Sequence, residues 1–289
     1  MREKTLTRTP ALAPLLARGA LLSPLKRPHP DAAVPAGRLL LPGLRVDLAR
    51  LTAYERVCGF AGADALPITY PHLLGFPLAL RLMSALDFPL PLPGLIHTSI
   101  EITRPTALAA TGTYDVGVRV ERLAPHRRGT EAVVVTELRD GEAVVWESTS
   151  WYLARHRTTA AAAGRTADTS EPPVADEPPV VDEWRLGSDL GRRYGAVSGD
   201  RNPIHLHPLT ARLFGFPRAI AHGMWSVARC LAAHGVPEAA FVRAEFRAPV
   251  LLPGTVRYAQ DGEGRFALRG GEKVHLTGLA VPLGSRGRE

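Results

Sequence analysis

The sequence predicts an α+β protein built twice on one plan, a long helix against a run of antiparallel strands. Three observations lead there. First, the chain overlays on itself. With Tyr54 under Tyr194, residues 54–84 lie over 194–224 at a constant offset of 140, with nine identities in 31 ungapped positions. They include Tyr54/Tyr194, Val57/Val197, Gly59/Gly199 and Gly75-Phe76-Pro77 over Gly215-Phe216-Pro217. After a further shift of four, IEITRP (100–105) lies over AEFRAP (244–249). Chance is a poor account of such matches, and self-similarity of this kind reads as two copies of one fold. Second, residues 157–183 are rich in Ala, Pro and acids with no apolar period, so they read as a linker between the copies. Third, both copies carry strand signals. VVVTELRDGEAVVWESTSWYL places Asp140-Gly141 between two apolar runs, a strong hairpin signal.

In chain order, residues 1–38 form a basic N-terminal segment and 39–156 the first copy. The linker follows, then a second copy at 184–283 and a tail at 284–289. In the second copy a short segment near Trp184 leads to a turn at Tyr194. A helix then runs from about Ala219 to His234, stopped by Gly235 and Pro237. FVRAEFR follows with clean alternation, Val242, Ala244 and Phe246 on one face and Arg243, Glu245 and Arg247 on the other. TVRYA (255–259), RFALR (265–269) and KVHLTGLAVPL (273–283) complete a sheet. Its apolar face must be covered, and the helix is the element available.

Composition bounds the function. Of 289 residues 45% are hydrophobic and 22% charged, enough for each half to bury a core. No run of about 18 uncharged apolar residues is present, so no membrane-spanning helix is expected. The opening MREKTLTRTPALAPLLARGALLSPL resembles an export signal only superficially. Pro14 and Arg18 break its apolar run and no small-residue cleavage site follows, so it reads as mature sequence with a cytoplasmic location as the default. Cys58 and Cys230 are too few for a disulfide framework or metal knuckle. The net charge of +7 is concentrated at the start, where residues 1–30 hold six Lys or Arg against one acid, Glu3. With no basic recognition helix or aromatic-interleaved basic strand, nucleic acid is not the expected partner. A mildly basic surface suits an anionic partner, whether a phosphate-bearing small molecule or an acidic protein.

The two copies differ where chemistry would sit. YGAVSGDRNPIHLHP (194–208) gathers Asp200, Asn202, His205 and His207 behind a small turn at Ser198-Gly199. At the same offset Asp200 faces Phe60, Asn202 faces Gly62, His205 faces Ala65 and His222 faces Leu82. A folding requirement would apply to both copies, so these polar residues place function in the C-terminal half. SGDRNP could be turn formers alone. His205, His207 and Asp200 could ligate a metal, but no cluster supplies the remaining ligands, so no metal is expected. His207 reads as exposed or capping, and Tyr194, recurring as Tyr54, as structural. Ser198 lacks a triad, and Cys230 and Met224 follow helical core spacing.

Y-x-x-V-S-G-D-x-N-P-I-H followed by GFPRAIAHGM resembles the signature of R-specific enoyl-CoA hydratases and MaoC-like dehydratases, with about 30 residues in the motif. The resemblance implies a tandem (double) hotdog fold, each unit a long helix wrapped by an antiparallel sheet, with one degenerate and one active copy. It implies that Asp200 and His205 are the catalytic pair, that Asn202 orders the loop, and that the Gly223 N–H binds a thioester oxygen. Asn202 itself, with Ser198, His222 and Met224, is a further candidate for substrate contact. It also implies an acyl thioester of coenzyme A or acyl carrier protein as partner, no cofactor, and an intrachain pseudo-dimer with a homodimer as a further option. The chemistry suits these residues: one group takes a proton from water and another delivers one to carbon, while an N–H at a helix start stabilises the thioester oxygen. A non-catalytic thioester-binding module and a hotdog thioesterase remain the alternatives.

Overall fold

A computed structural model of the chain describes residues 2–35, 37–158 and 177–284. The N-terminal segment folds onto the body. Strand β1 (Arg2–Thr5) leads to helix α1 (Leu12–Leu22). Leu6 is buried, and Lys26, held by burial well below a free lysine at a pKa of about 8, donates to the Met83 carbonyl at 2.9 Å. The basic segment is therefore partly core, which its charge pattern does not reveal. Most of the expected linker lies outside the described residues, and its last residues are already strand.

The first copy runs β2 (Gly37–Arg45), α2 (Leu48–Cys58), α3 (Tyr70–Met83), β3 (Ile96–Arg104), β4 (Thr113–His126), β5 (Gly129–Asp140) and β6 (Ala143–Arg155). The Asp140-Gly141 turn joins β5 to β6, with Gly141 at φ 57°, a value an L side chain resists. The second copy runs β7 (Val180–Leu186), α4 (Leu190–Ser198), α5 (Pro203–Leu206), α6 (Pro208–Leu213), α7 (Gly223–His234), β8 (Ala240–Phe246), β9 (Gly254–Gln260), β10 (Arg265–Gly270) and β11 (Lys273–Pro282). The segment at Tyr194 is thus a helix rather than a turn. The central helix starts at Gly223, four residues later than expected, because Ile220 is held extended by a bridge to Leu251.

Among the described residues one sheet carries eleven strands, in the order β1-β2-β4-β5-β6-β3-β8-β11-β10-β9-β7. The halves meet at β3 and β8, which pair antiparallel from Ser99↔Glu245 to Arg104↔Ala240. The alignment of IEITRP with AEFRAP matches Ile100 to Ala244, and the structure places Ile100 opposite Ala244. A residue lying across from its own counterpart marks a two-fold axis, so the seam is built like a symmetric dimer interface within one chain. Each sheet half wraps one long helix, α3 or α7. Leu78, Trp146, Val227, Cys230 and Leu268 are fully or almost fully buried beneath it.

The repeat is only partly as the constant offset reads it. Helices α2 and α4 are true counterparts, ending at left-handed Gly59 (φ 84°) and Gly199 (φ 80°), with Tyr54 and Tyr194 rings 6.1 Å apart. Beyond them the offset fails. Gly75-Phe76-Pro77 lies inside α3, whereas residues 215–217 form a loop after α6. The first copy goes from Gly59 to its long helix at Tyr70, whereas the second goes from Gly199 to Gly223. The second copy therefore carries an insertion, α5 and α6, and the pairing of His205 with Ala65 has no structural counterpart.

Candidate active site

The insertion begins where α4 ends. Gly199 turns the chain, and the loop is tied down from both sides. The Asp200 N–H donates to Ser198 Oγ at 3.1 Å, and the Asn202 N–H to Asp200 Oδ1 at 3.1 Å. Asn202 Oδ1 then accepts from the Ile204 N–H at 3.4 Å, starting α5 with Pro203 at its first position. His207 caps α6 by accepting from the Leu209 N–H at 3.2 Å and is exposed, away from the cluster. From the first copy, Arg50 donates to the Val197 carbonyl at 2.6 Å and to the Ser198 carbonyl at 3.0 Å. A cation over the last carbonyls of α4 holds the helix end immediately before Asp200. Arg50 gave no signal in the sequence, because its role depends on the two halves meeting.

Asp200, His205 and His222 converge, with ligating atoms all within 4.8 Å of one another. The His205 and His222 rings stack at 3.7 Å, and Tyr194 lies 4.8 Å from His222. Both imidazoles are buried, while the Asp200 side chain is 29% exposed. His205 Nδ1 bonds the Ile220 carbonyl at 2.8 Å, and His222 Nε2 bonds the Asp200 carbonyl at 2.9 Å. A carbonyl can only accept, so each of these nitrogens carries the hydrogen. In the neutral ring His205 Nε2 and His222 Nδ1 are then bare acceptors. The spacing would also admit a cation, with one nitrogen of each ring free to bind it.

The adjoining residues fall into place around this centre. Gly223 is the first residue of α7, where N–H groups have no intrahelical acceptor. The volume a Cβ would take there is filled by the Phe246 ring, with Cε1 at 2.8 Å, so glycine is demanded by that ring rather than by open space. Met224 is buried in the first turn of α7, and Ser198 is buried behind the turn. No motif pointed to His72 on α3, His97 on β3 or Tyr152 on β6, whose rings stack in series. Burial pushes His72 down to about 4, with the Asp200 charge opposing, and the same charge acts on Tyr152.

Burial also lowers His205 from its usual value and takes His222 down to about 3, the neighbouring His205 adding to the effect. These shifts give a stability prediction. An unfolded histidine protonates near 6.5, whereas folded His72 and His222 do so only near 4 and 3. Between those values the unfolded chain binds more protons, so stability is complete above about pH 6.5 and falls as pH drops. Buried Glu55 and half-buried Glu147, whose carboxyls are raised, work the other way, but the imidazoles outnumber them. Scanning calorimetry should show Tm several degrees lower at pH 5 than at pH 7. A Tm flat across that range would show that the rings are not desolvated.

A family model described as a MaoC like domain matches residues 161–277, the half that carries the cluster. The 3-hydroxyacyl-thioester dehydratase X of Mycobacterium tuberculosis (strain ATCC 25618 / H37Rv) is 38% identical over 228 residues, 78% of this chain and 80% of that protein. The crystal structure of HtdX from Mycobacterium tuberculosis superposes with a TM-score of 0.74 at 34% identity, covering 85% of this chain and 100% of that one. A further Mycobacterium tuberculosis protein, described as having a double hotdog fold, gives a TM-score of 0.54 at 10% identity over 88% of this chain and 98% of that one, a likeness of fold alone. Among the described residues no helix is long and apolar enough to cross a membrane. With its helix-wrapping sheets, its seam of two-fold character and this kinship, the chain belongs to the MaoC-like dehydratase family, in the tandem hotdog form.

Proposed function

We propose that the chain is a (3R)-hydroxyacyl-thioester dehydratase, equally an R-specific 2-enoyl-thioester hydratase, acting on acyl groups carried by coenzyme A or acyl carrier protein. The observation that carries this is the convergence of Asp200 and the bare Nε2 of His205 beside the helix start at Gly223. In the hydration direction, His205 Nε2 takes one proton of a water while Asp200 accepts a hydrogen bond from the other. The water oxygen bonds to C3, and the double-bond electron pair moves through C2 and C1 onto the thioester oxygen. The Gly223 N–H, at the positive end of α7, stabilises that oxygen. The enolate then collapses, and C2 takes the proton back from His205. One water has been added, and the protein returns to its starting protonation. Dehydration is the same path reversed. The step moves protons alone and calls on no redox group.

In this reading His222 is a positioning residue: its Nε2–H holds the Asp200 backbone and its ring supports His205. Asn202 and Ser198 keep the loop in shape, and Met224 packs beneath it. Residues 184–283 carry the chemistry and 39–156 hold the substrate, joined by the 157–183 linker between the 1–38 segment and the 284–289 tail. The test is direct. Purified protein should consume the enoyl absorbance of crotonyl-CoA without releasing free thiol, giving the (3R)-hydroxyacyl product on chiral analysis. Thiol release with no hydration would favour a thioesterase. Stabilisation by crotonyl-CoA with no turnover would favour a binding module.

A further inference from the structure

The first half gives the site more than a scaffold. His72, the third residue of α3, stacks on His97 at 5.9 Å. His97 stacks on Tyr152, its register partner across β3 and β6, at 4.6 Å, and meets the Phe246 ring of the second half at a tilt, 4.8 Å away. Phe246 in turn lies against Gly223. A continuous wall therefore runs from the first half to the helix start where the thioester oxygen is placed, with the Asp200 charge reaching both His72 and Tyr152. Two of its nitrogens are enclosed and meet no protein group among the described residues: His72 Nδ1 and His97 Nε2. The His72 side chain is only 7% exposed. A hydrogen bond to the backbone at Ser99 fixes the other side of the His97 ring. Both rings are held neutral by burial, so the wall offers hydrogen bonds without charge.

The direction of the substrate follows from exposure. Asp200 is 29% exposed and Arg201 next to it lies in solvent, so the carrier arm leaves on that side. His72 and Tyr152 are 7% and 9% exposed, and the acyl group is placed against this buried wall, away from Arg201. A plain alkyl chain there would leave two buried nitrogens unmet, which is unfavourable. A hydroxyl on the chain would donate to one of them.

We propose that His72 and His97, backed by Tyr152, form a hydrogen-bonding end wall for the acyl group, and that the protein selects acyl thioesters bearing a hydroxyl beyond C3 over unsubstituted alkyl chains of equal length. The proposal rests on the dehydratase reading. Its test compares hydration of 2-hexenoyl-CoA with that of its 5-hydroxy and 6-hydroxy counterparts. For the better hydroxylated substrate, wild type should show kcat/KM roughly three- to tenfold above the alkyl chain, the usual net effect of one hydrogen bond. In His97→Phe and His72→Leu that ratio should fall to about one or below, chiefly through KM, while His97→Gln restores it. A wild-type ratio at or below one overturns the proposal, whether or not the variants fold. So does a ratio unchanged in both variants with wild-type melting curves. Hydration of 2-hexenoyl-CoA without preference defeats this proposal alone, whereas no hydration of any of the three defeats the dehydratase reading as well.

Discussion

Replacing His205 with alanine should lower kcat for enoyl-thioester hydration about a thousandfold and leave the protein folded. The magnitude follows from its place: a positioned acid/base contributes roughly 10² to 10⁴ in rate. His205 presents a bare Nε2 because the Ile220 carbonyl holds Nδ1–H at 2.8 Å, and alanine removes that acceptor from beside Asp200. Asp200→Asn should cost a similar factor. Asparagine keeps an oxygen for the Asn202 N–H, so the loop survives, but it loses the charge that faces the imidazolium formed in mid-reaction. The double variant should be little worse than either single one, since the two groups act on one water. Rapid-mixing assays with crotonyl-CoA, and circular dichroism to check the fold, decide the matter. Activity within tenfold of wild type in either folded variant would remove that residue from the mechanism.

The second large effect is on stability. Arg104, at the end of β3, is 6% exposed and donates to three carbonyls: Glu238 and Pro237 at 2.8 Å each and Leu66 at 3.2 Å. Leu66 belongs to the loop before α3, and Pro237 and Glu238 to the turn after α7, so one guanidinium ties the halves together beside the two-fold seam. Arg104→Leu leaves the buried Leu66 carbonyl unmet, while the carbonyls of exposed Pro237 and Glu238 can turn to water. An unmet buried group costs about 1–3 kcal/mol, and with water replacing some of the bonds we expect a total loss of about 3 kcal/mol in urea unfolding. Arg104→Lys, a single point donor instead of a planar fork, should recover only part of it. A loss under about 1 kcal/mol in Arg104→Leu would mean that the seam holds without it.

Much of the plan was legible because it rests on local rules. The Asp140-Gly141 hairpin, the alternation through Val242 and Ala244, and the left-handed glycines after α2 and α4 depend on backbone conformation and side-chain period. The Ile100/Ala244 match was also readable, since a strand seam constrains both copies alike. Matching Gly75-Phe76-Pro77 with its later echo misled, because identity of residues says nothing about an inserted segment between equivalent helices. The basic N-terminal segment misled for another reason: Lys26 is buried by contact with α3, which no charge count can anticipate.

The two-copy α+β plan, the half that gathers the polar residues and the loop from Asp200 to His205 could all be read from the chain alone. Each of these is written in neighbouring residues and short periods. Only the tertiary structure decided how Arg50 holds the loop, which nitrogen of His205 is bare, and that His72, His97 and Tyr152 stand across from it. Those facts depend on contacts between residues distant along the chain, from 15 positions for His205 and Ile220 to 147 for Arg50 and Val197, and the longest of them exist only once the two halves have closed on each other.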